Sequence, residues 1–452
     1  MTLIFELLKI IVGTQREFSV APSQKEWKQM FLFLQQQSLL GVALPMLKTL
    51  PREQCPTGDL PLVWYTLGDR LRLMNADLNR KCVEVSQWFE EHGFHTCILK
   101  GQGNAAMYPD PSLRNSGDID VWLWPRMVNG ERLMVNGEGG TVNGERLTGT
   151  LLSKTSLKKR REEILKFVRA SLGEQDVFYH HVDFPMFEGT EVEVHFMPTW
   201  MNSYFNNNKL QRFLEAEAEA SFTNETSIGE GQVIHTPTWA MNVVFQLIHI
   251  QKHLFAEGIG LRQVMDYYYL LLRRGSEDEC HKVLDVVHDL GLDTFLASLQ
   301  WVLQHVFGMK DEYLIGTTDK ENGTLLLGEI LSGGNFGKFG ANSDIGDSNT
   351  YTIRQYADTL LADETQSKYH TLVKEMLNYG AAAQVYFGYR KDSLANNEIA
   401  GAGLKDIPEN ADRTFSVSGD VTGASFYGST LVYRDKIALR YYLKGDISKC
   451  NF

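Results

Sequence analysis

The chain has 452 residues, of which 43% are hydrophobic and 22% are charged. These proportions are those of globular proteins and exclude a fibrous or wholly disordered chain, and the length allows two or three domains. With 56 acidic and 44 basic residues, the formal net charge is −12. Because such a chain repels polyanions, general nucleic-acid binding and attachment to an anionic membrane are disfavoured.

Signals for membrane insertion, export and disulfide formation are weak. No apolar run reaches the roughly 18 residues that a membrane span needs. The N-terminus contains Glu6 and Lys9 and lacks a basic segment, so it predicts an amphipathic helix rather than a signal peptide. The cysteines are odd in number, are widely spaced and predict neither a disulfide framework nor a zinc site: Cys55, Cys82, Cys97, Cys280 and Cys450. We therefore expect a cytoplasmic protein.

The spacing of apolar residues predicts alternating helical and mixed regions. Residues 1–92 have helical spacing, and Gly93 follows as a helix terminator. Residues 93–200 predict a mixed core, with short strands at 97–99 and 119–124. The same core has a hairpin formed by 177–187 and 190–196, and a helical region follows over 201–335.

Three further segments differ from this pattern. A seven-residue repeat over 128–147 carries Asn-Gly in each copy, which predicts a low-complexity loop insertion at 127–150 rather than a helix. Residues 336–350 are rich in Gly, Asn, Ser and Asp and predict a linker. Residues 351–452 combine helical spacing with alternating strands, which predicts a small accessory α+β module.

Several polar groups favour structural roles. Residues 154–171 predict a basic amphipathic helix whose basic face is interpreted as solvated, with a patch for a phosphate-bearing substrate as the alternative. His249 and His253 have a spacing that can bind zinc, but no HExxH glutamate is present, so packing or capping is favoured. His180-His181 is interpreted as a partly exposed strand pair, and Arg262 with Asp266 as a surface ion pair.

The most informative segment contains two carboxylates. Asp118 and Asp120 are two apart on a predicted strand, so their side chains point to one face. Two carboxylates about 4 Å apart repel each other by about 4 kcal/mol at an effective dielectric constant of 20, so a cation or a proton must neutralise them. Oxygen ligands of this type favour Mg²⁺. A pair of exposed charges on an edge strand is the alternative interpretation.

A second acidic segment favours a site over exposed charges. In residues 191–196, Glu191, Glu193 and His195 share one face, and the other face is apolar. This pattern is typical of a strand that forms the floor of a cleft. Together with the strand and glycine turn at 97–103, it favours a functional site.

This order of strand, glycine turn, helix and Asp-x-Asp strand resembles the polymerase-β-type nucleotidyltransferase superfamily. The turn at Leu99-Lys100-Gly101, Arg114, the segment Gly117 to Asp120 and Glu193-x-His195 resemble the family of uncharacterised nucleotidyltransferases over about residues 10–335. The resemblance implies an α+β fold in which residues 93–200 form a nucleotidyltransferase palm, a mixed β-sheet with helices. Helical regions flank it on both sides.

The resemblance also implies a site and a reaction. Two Mg²⁺ ions would be held by Asp118, Asp120 and Glu193, with Glu191 as the alternative third ligand, because a register slip exchanges the two glutamates. A nucleoside triphosphate, with ATP expected, would transfer its nucleoside monophosphate through in-line attack of an acceptor oxygen on the α-phosphorus. Phosphate-binding roles, including backbone amides and the following helix N-terminus, would fall to Lys100, Gly101, Gln102, Arg114 and Ser116.

The acceptor stays open between a small molecule, a protein and tRNA. Residues 377–396 and the strands after them resemble a module of secreted bacterial surface proteins. The first alternative is therefore a catalytically vestigial binding protein that uses its C-terminal module. The second is a toxin–antitoxin-type nucleotidyltransferase, for which the basic helix is the support.

Overall fold

The computed structural model describes residues 2–128, 131–132, 156–201, 204–256 and 258–333. Most of the predicted insertion at 127–150, the predicted linker at 336–350 and the predicted module at 351–452 lie outside these residues. Within these ranges, none of the helices combines the length and the apolar character that crossing a bilayer requires.

The N-terminal region is helical, as the spacing predicts. Its helices are α1 (Thr2–Val12), α2 (Gln24–Gln36), α3 (Leu40–Ala43) and the long α4 (Leu60–Glu91). Helix α2 begins with a capping box in which the Ser23 side chain accepts from the Glu26 amide and Glu26 bonds back to the Ser23 backbone. Trp27 lies on its buried face and packs edge-on against Trp64 of α4.

The central part of the chain forms a four-stranded mixed sheet. Its elements, in chain order, are β1 (Phe94–Ile98), α5 (Gln102–Ala105), β2 (Ile119–Pro125), β3 (Met127–Val128), β4 (Glu131–Arg132), α6 (Leu157–Leu172), β5 (His181–Asp183) and β6 (Val192–His195). The order across the sheet is β1-β2-β6-β5, and β3 and β4 pair separately. Strand β2 runs antiparallel to β1 and parallel to β6, and β5 and β6 form the predicted hairpin.

The C-terminal region is also helical but contains, after its first helix, a hairpin that the sequence did not indicate. The elements are α7 (Tyr204–Ser221), β7 (Glu225–Gly229), β8 (Gln232–His235), α8 (Trp239–Ala256), α9 (Leu261–Leu272), α10 (Glu277–Asp289), α11 (Asp293–Phe307) and α12 (Lys320–Gly333). Strands β7 and β8 pair antiparallel, with a register shift between Ser227 and Gly229.

Strand β2 is buried on both faces, because alternate residues contribute to different cores. Ile119, Val121 and Leu123 pack with residues of α4 and α6 behind the sheet. Trp122 and Trp124 point to the opposite face and join a core made by the N- and C-terminal helices. The two helical regions thus pack together in front of the sheet.

Two basic residues of helix α6 pack against aromatic rings. The Arg160 side chain is buried, bonds to Glu215 and lies 3.8 Å from the ring centroid of Trp124. The Arg161 guanidinium lies 5.1 Å from the ring centroid of Phe196. The prediction of a solvated basic face is therefore wrong for these two residues, since both lie against aromatic rings of the sheet region.

Close packing between α3 and the segment before β2 gives a stability prediction. A Cβ on Gly41 would overlap the carbonyl oxygen of Leu113, a backbone atom that cannot easily move. We expect Gly41→Ala to lower the free energy of unfolding by about 1–3 kcal/mol. Gly328→Ala is the control, because a Cβ there meets nothing within 4 Å and alanine favours the helix. Urea unfolding of both variants measures the difference, and equal midpoints would contradict this packing.

Candidate functional site

Three carboxylates lie at one end of the β2–β6 pair. The parallel register places Asp120 opposite Glu193, and Asp118 stands one residue before β2 begins. The Asp120 side chain is fully buried, the Glu193 side chain is 26% exposed, and both Asp118 and Glu193 line a cleft. Glu191 precedes β6 and is exposed. The arrangement brings Glu193, rather than Glu191, beside Asp120.

Two side chains neutralise the buried carboxylate. Lys100 Nζ lies 2.9 Å from Asp120 Oδ1, and His195 Nε2 lies 3.0 Å from the same oxygen. His195 Nε2 is also 3.2 Å from Glu193 Oε2, so the imidazole ties the two acids together. The other oxygen of Asp120, Oδ2, is buried and has no hydrogen-bond partner, so it is available to a ligand.

The ionisation of these groups reflects their crowding. The nearby Asp120 charge, followed by burial, raises the pKa of Asp118. Burial would raise the pKa of Asp120 as well, but Lys100 and the bond to His195 hold it below its usual range. Burial disfavours the charged form of Lys100, yet the three carboxylates raise its pKa. The Lys100 ammonium is thus the cation that the neighbouring carboxylates require.

These groups satisfy the chemical requirements of a divalent metal site. Asp120, Glu193 and His195 each offer a ligand atom, and the three atoms lie within 4.8 Å of one another. Carboxylate oxygens suit Mg²⁺, which is usually held by one or two carboxylates and by substrate phosphates. The partnerless Asp120 Oδ2 and the cleft-facing Asp118 add oxygen donors to this set.

The cleft above these acids is about 380 Å³ in volume. Helices α8 and α9 form its opposite wall and contribute polar residues that sequence reasoning did not assign to the site. They are Gln246, His249, Lys252, His253, Arg262, Gln263 and Asp266. The signal was present, because the polar residues of α8 recur at helical spacing on an otherwise apolar helix.

The Arg114 side chain is bound inside the protein. Its guanidinium makes two bonds to Asp266, of 2.8 and 2.6 Å, and also donates to Gly101 O and to Ser116 Oγ. Tyr108 donates to the same Asp266 carboxylate at 2.6 Å. The expected ion pair between Arg262 and Asp266 does not lie at the surface. Asp266 is buried against Arg114, and Arg262, whose charge after that of Arg114 also lowers the pKa of Asp266, donates to Asn115 O. Phosphate contacts by Arg114 and Ser116 stay predictions.

The turn after β1 depends on Gly101. Its φ is +51°, in the region that favours glycine, and a Cβ there would lie 3.3 Å from Asp118 O. The helix that follows, α5, has four residues, so it lacks the macrodipole of a longer helix, contrary to the expected contribution of a helix N-terminus. The Gln102 side chain is buried and donates to Asn79, so only its backbone is available for the phosphate role that was predicted.

Four histidines besides His195 line the cleft, two near the acids and two on α8. The interpretation of His180 and His181 as a partly exposed strand pair is wrong for His181, which is buried. His180 is half-buried and directly precedes β5, and both residues line the cleft. His249 and His253 also line the cleft, with ring centroids 4.2 Å apart. Burial lowers the pKa of His249 well below its usual value, so this imidazole is neutral at neutral pH.

The Arg114–Asp266 pair gives a pH-dependent prediction. Burial would raise the pKa of Asp266, but Arg114 lowers it below that of the unfolded chain. The pair therefore stabilises the fold at neutral pH, and this contribution is lost as the pH falls through the folded-state pKa. We expect Asp266→Asn to cost about 3–5 kcal/mol at pH 7, because it leaves Arg114 buried without a counter-charge.

Urea unfolding at pH 7 and at pH 2.5, which is below the usual pKa of an aspartate, tests this prediction. The loss on acidification should be smaller for Asp266→Asn than for the wild type. The control is Asp69→Asn, which breaks a surface pair with Arg72 at 3.0 Å and should change the unfolding free energy by no more than about 1 kcal/mol. Similar losses of unfolding free energy in the two variants would show that the buried pair contributes no more to stability than the surface pair.

Comparison with known proteins identifies the family. A family model described as uncharacterised nucleotidyltransferase matches residues 23–308, which is more than half of the chain. This range runs from α2 to α11 and includes the sheet, the three acids and both walls of the cleft. Neither a curated protein nor a solved structure matches the chain at a significant level. The chain therefore belongs to the family of uncharacterised nucleotidyltransferases, and the α+β fold and the transferase activity expected from its sequence follow from that membership.

Proposed function

We propose that this enzyme transfers a nucleoside monophosphate from a nucleoside triphosphate, with ATP as the expected donor, to an acceptor oxygen in an Mg²⁺-dependent reaction. One observation carries the proposal: the parallel register sets Asp120 beside Glu193, with Asp118 two residues away at the edge of the cleft. A cytoplasmic location agrees with the use of a nucleoside triphosphate.

The acids fit the metal ions that the family implies. Asp118, Asp120 and Glu193 would hold Mg²⁺, since they supply hard oxygen donors and Asp120 Oδ2 has no other partner. When bound, a pair of such ions neutralises the charge that develops on the attacking and leaving oxygens. His195, bonded to both Asp120 and Glu193, would hold these two carboxylates in a fixed relative orientation.

Cationic side chains around the cleft support a polyphosphate ligand. Lys100 rises from the floor beside Asp120, and Lys252 and Arg262 stand on the helical wall opposite. A cleft of about 380 Å³ falls in the usual range for small-molecule sites. We assign the triphosphate to the space between Lys100 and these wall cations, which would counter its negative charge.

Arg114 would affect nucleotide binding indirectly, by holding the Lys100–Gly101 turn in position. Arg114 connects Asp266 of the α9 wall to Gly101 O, so its guanidinium is already used by protein groups. We therefore propose that Arg114 positions the Lys100–Gly101 turn, whose backbone would face the phosphates. The acceptor oxygen would reach the α-phosphorus from the side of α8, where His249 and Gln246 offer polar atoms.

Neutral variants of the acids test the metal site. We expect Asp120→Asn and Glu193→Gln each to weaken Mg²⁺-dependent binding of α,β-methylene ATP by about 100-fold or more, because each removes a charge worth several kcal/mol at the ion. The matched control is Glu191→Gln, which removes an exposed carboxylate two residues away and should bind as the wild type does. Isothermal titration with and without Mg²⁺ measures these affinities.

The same titrations can contradict the proposal. Wild-type affinity in both Asp120→Asn and Glu193→Gln would remove its basis. A loss in Glu191→Gln with none in Glu193→Gln would instead move the third ligand to Glu191. Incubation of cell extract with the enzyme and α-³²P-ATP then shows whether a small molecule, a protein or an RNA becomes labelled.

A further inference from the structure

Four ligand atoms converge beside the acidic site, and the nucleotide chemistry does not require all of them. His181 Nδ1 lies 3.3 Å from His180 Nε2 and 3.5 Å from Glu193 Oε2. Glu193 Oε2 lies 3.2 Å from His195 Nε2. The ligand atoms of the three histidines lie within 4.8 Å of one another. The Glu193 Oε2 atom thus lies beside ring nitrogens of His181 and His195, and the three imidazoles lie close together.

These separations match those of a metal coordination shell. Zinc–nitrogen bonds of 2.0–2.1 Å in a tetrahedral site place neighbouring ligand atoms about 3.3–3.4 Å apart. The three consecutive separations here are 3.3, 3.5 and 3.2 Å. Histidine and carboxylate ligands together are the donor set that zinc and related transition metals prefer, whereas Mg²⁺ prefers oxygen.

The hairpin explains why these groups meet. Strand β5 pairs with β6 so that His181 faces His195 and Asp183 faces Glu193. His180 directly precedes β5, and the Phe196 amide donates to its carbonyl oxygen at 2.9 Å. Since one short antiparallel hairpin supplies all four ligands, their relative positions are fixed by its backbone hydrogen bonds.

Metal binding requires imidazole nitrogens that carry no proton. Burial lowers the pKa of His181 to about 4 and that of His180 well below its usual value. Burial also disfavours the charged form of His195, but its hydrogen bonds to Asp120 and Glu193 raise its pKa, so an ion bound at His195 Nε2 would displace a proton and the bonds that this proton makes. Asp183 Oδ1 lies 3.7 Å from Nε2 of His181, the ring nitrogen that would not bind the ion, and a carboxylate commonly lies near that nitrogen of a ligating histidine. Lys100 and Lys252 are cations near the histidines, and Asp120 and Asp183 are anions that offset them.

We propose that His180, His181, Glu193 and His195 form a second metal site, which binds a nitrogen-preferring divalent ion such as Zn²⁺. The site goes beyond the proposed function, because three of its four ligands lie outside the set assigned to Mg²⁺. It shares Glu193 with that set, so this carboxylate would serve both metal sites. Zn²⁺ would occupy a nitrogen-rich site of this kind even in the presence of excess Mg²⁺.

Zinc titration of the full chain tests the proposal directly. The protein is stripped with a chelator, dialysed and titrated with ZnCl₂ in excess Mg²⁺. We expect one Zn²⁺ per chain with a dissociation constant below about 1 μM, on the affinity scale of specific metal sites. Substitution by Co²⁺ should give visible absorption bands of the intensity typical of four-coordinate cobalt. Both measurements use the wild-type protein, so neither depends on a variant that folds.

Variants then locate the ion. His180→Ala and His181→Ala should each weaken Zn²⁺ binding at least 10-fold, since even the loss of a group behind the ligands commonly costs that much. The matched control is His288→Ala, which removes a histidine whose side chain is 80% exposed and should leave the affinity unchanged. Asp118→Asn should keep Zn²⁺ binding and lose Mg²⁺-dependent nucleotide binding, which separates this proposal from the proposed function.

Two results would overturn the assignment. One is a wild-type chain that binds no Zn²⁺ below about 100 μM in excess Mg²⁺, an affinity at which specific sites are not expected. The other is Zn²⁺ binding retained in His180→Ala/His181→Ala with the cobalt spectrum unchanged, which would place the ion elsewhere. Far-ultraviolet circular dichroism of each variant shows whether a loss of binding reflects a loss of fold.

Discussion

The parallel pairing of β2 with β6 is the constraint on which the site depends. It brings Asp120 within reach of Glu193, and the low dielectric of a buried strand makes this concentration of negative charge unfavourable unless cations offset it. Lys100 and His195 provide that offset, at 2.9 and 3.0 Å from the same Asp120 oxygen. The apolar back of both strands pins the register, because a slip by one residue would turn the acids into the apolar core formed with α4 and α6 and the valines toward the cleft.

The floor of the cleft could be predicted from sequence, and the wall could not. Asp118, Asp120 and Glu193 follow from two short strands whose alternation is visible in the printed residues, and the order of these strands matches the family that residues 23–308 belong to. Asp266, by contrast, lies 152 positions after Arg114, and no local pattern specifies that contact. Long-range partners of this kind are set by the packing of α9 against the sheet region, which periodicity does not encode.

The histidines illustrate the same limit in a different way. Local sequence favours a partly exposed strand pair for His180 and His181, because both lie on a predicted hairpin. In the structure the α8 wall faces this hairpin across the cleft, so that the imidazoles line the cleft beside carboxylates. Whether a histidine is solvated or ligating therefore depends on which element packs over it, and that element comes from another part of the chain.

The Arg114–Asp266 pair shows what connects floor and wall. A buried ion pair gives little net stability compared with an apolar pair of the same volume, since desolvation offsets most of the attraction. Its consequence here is geometric. Arg114 bonds to Asp266 of α9 and also donates to Gly101 O and Ser116 Oγ. These bonds hold α9 in place relative to the turn next to Lys100 and the acids. The turn that would face the phosphates is thus held from the wall opposite. A nucleotidyltransferase needs its acids and its phosphate-binding groups in one fixed relation, because small displacements of reacting atoms cost large factors in rate. The position of this pair, buried between the two halves of the cleft, is suited to maintaining that relation.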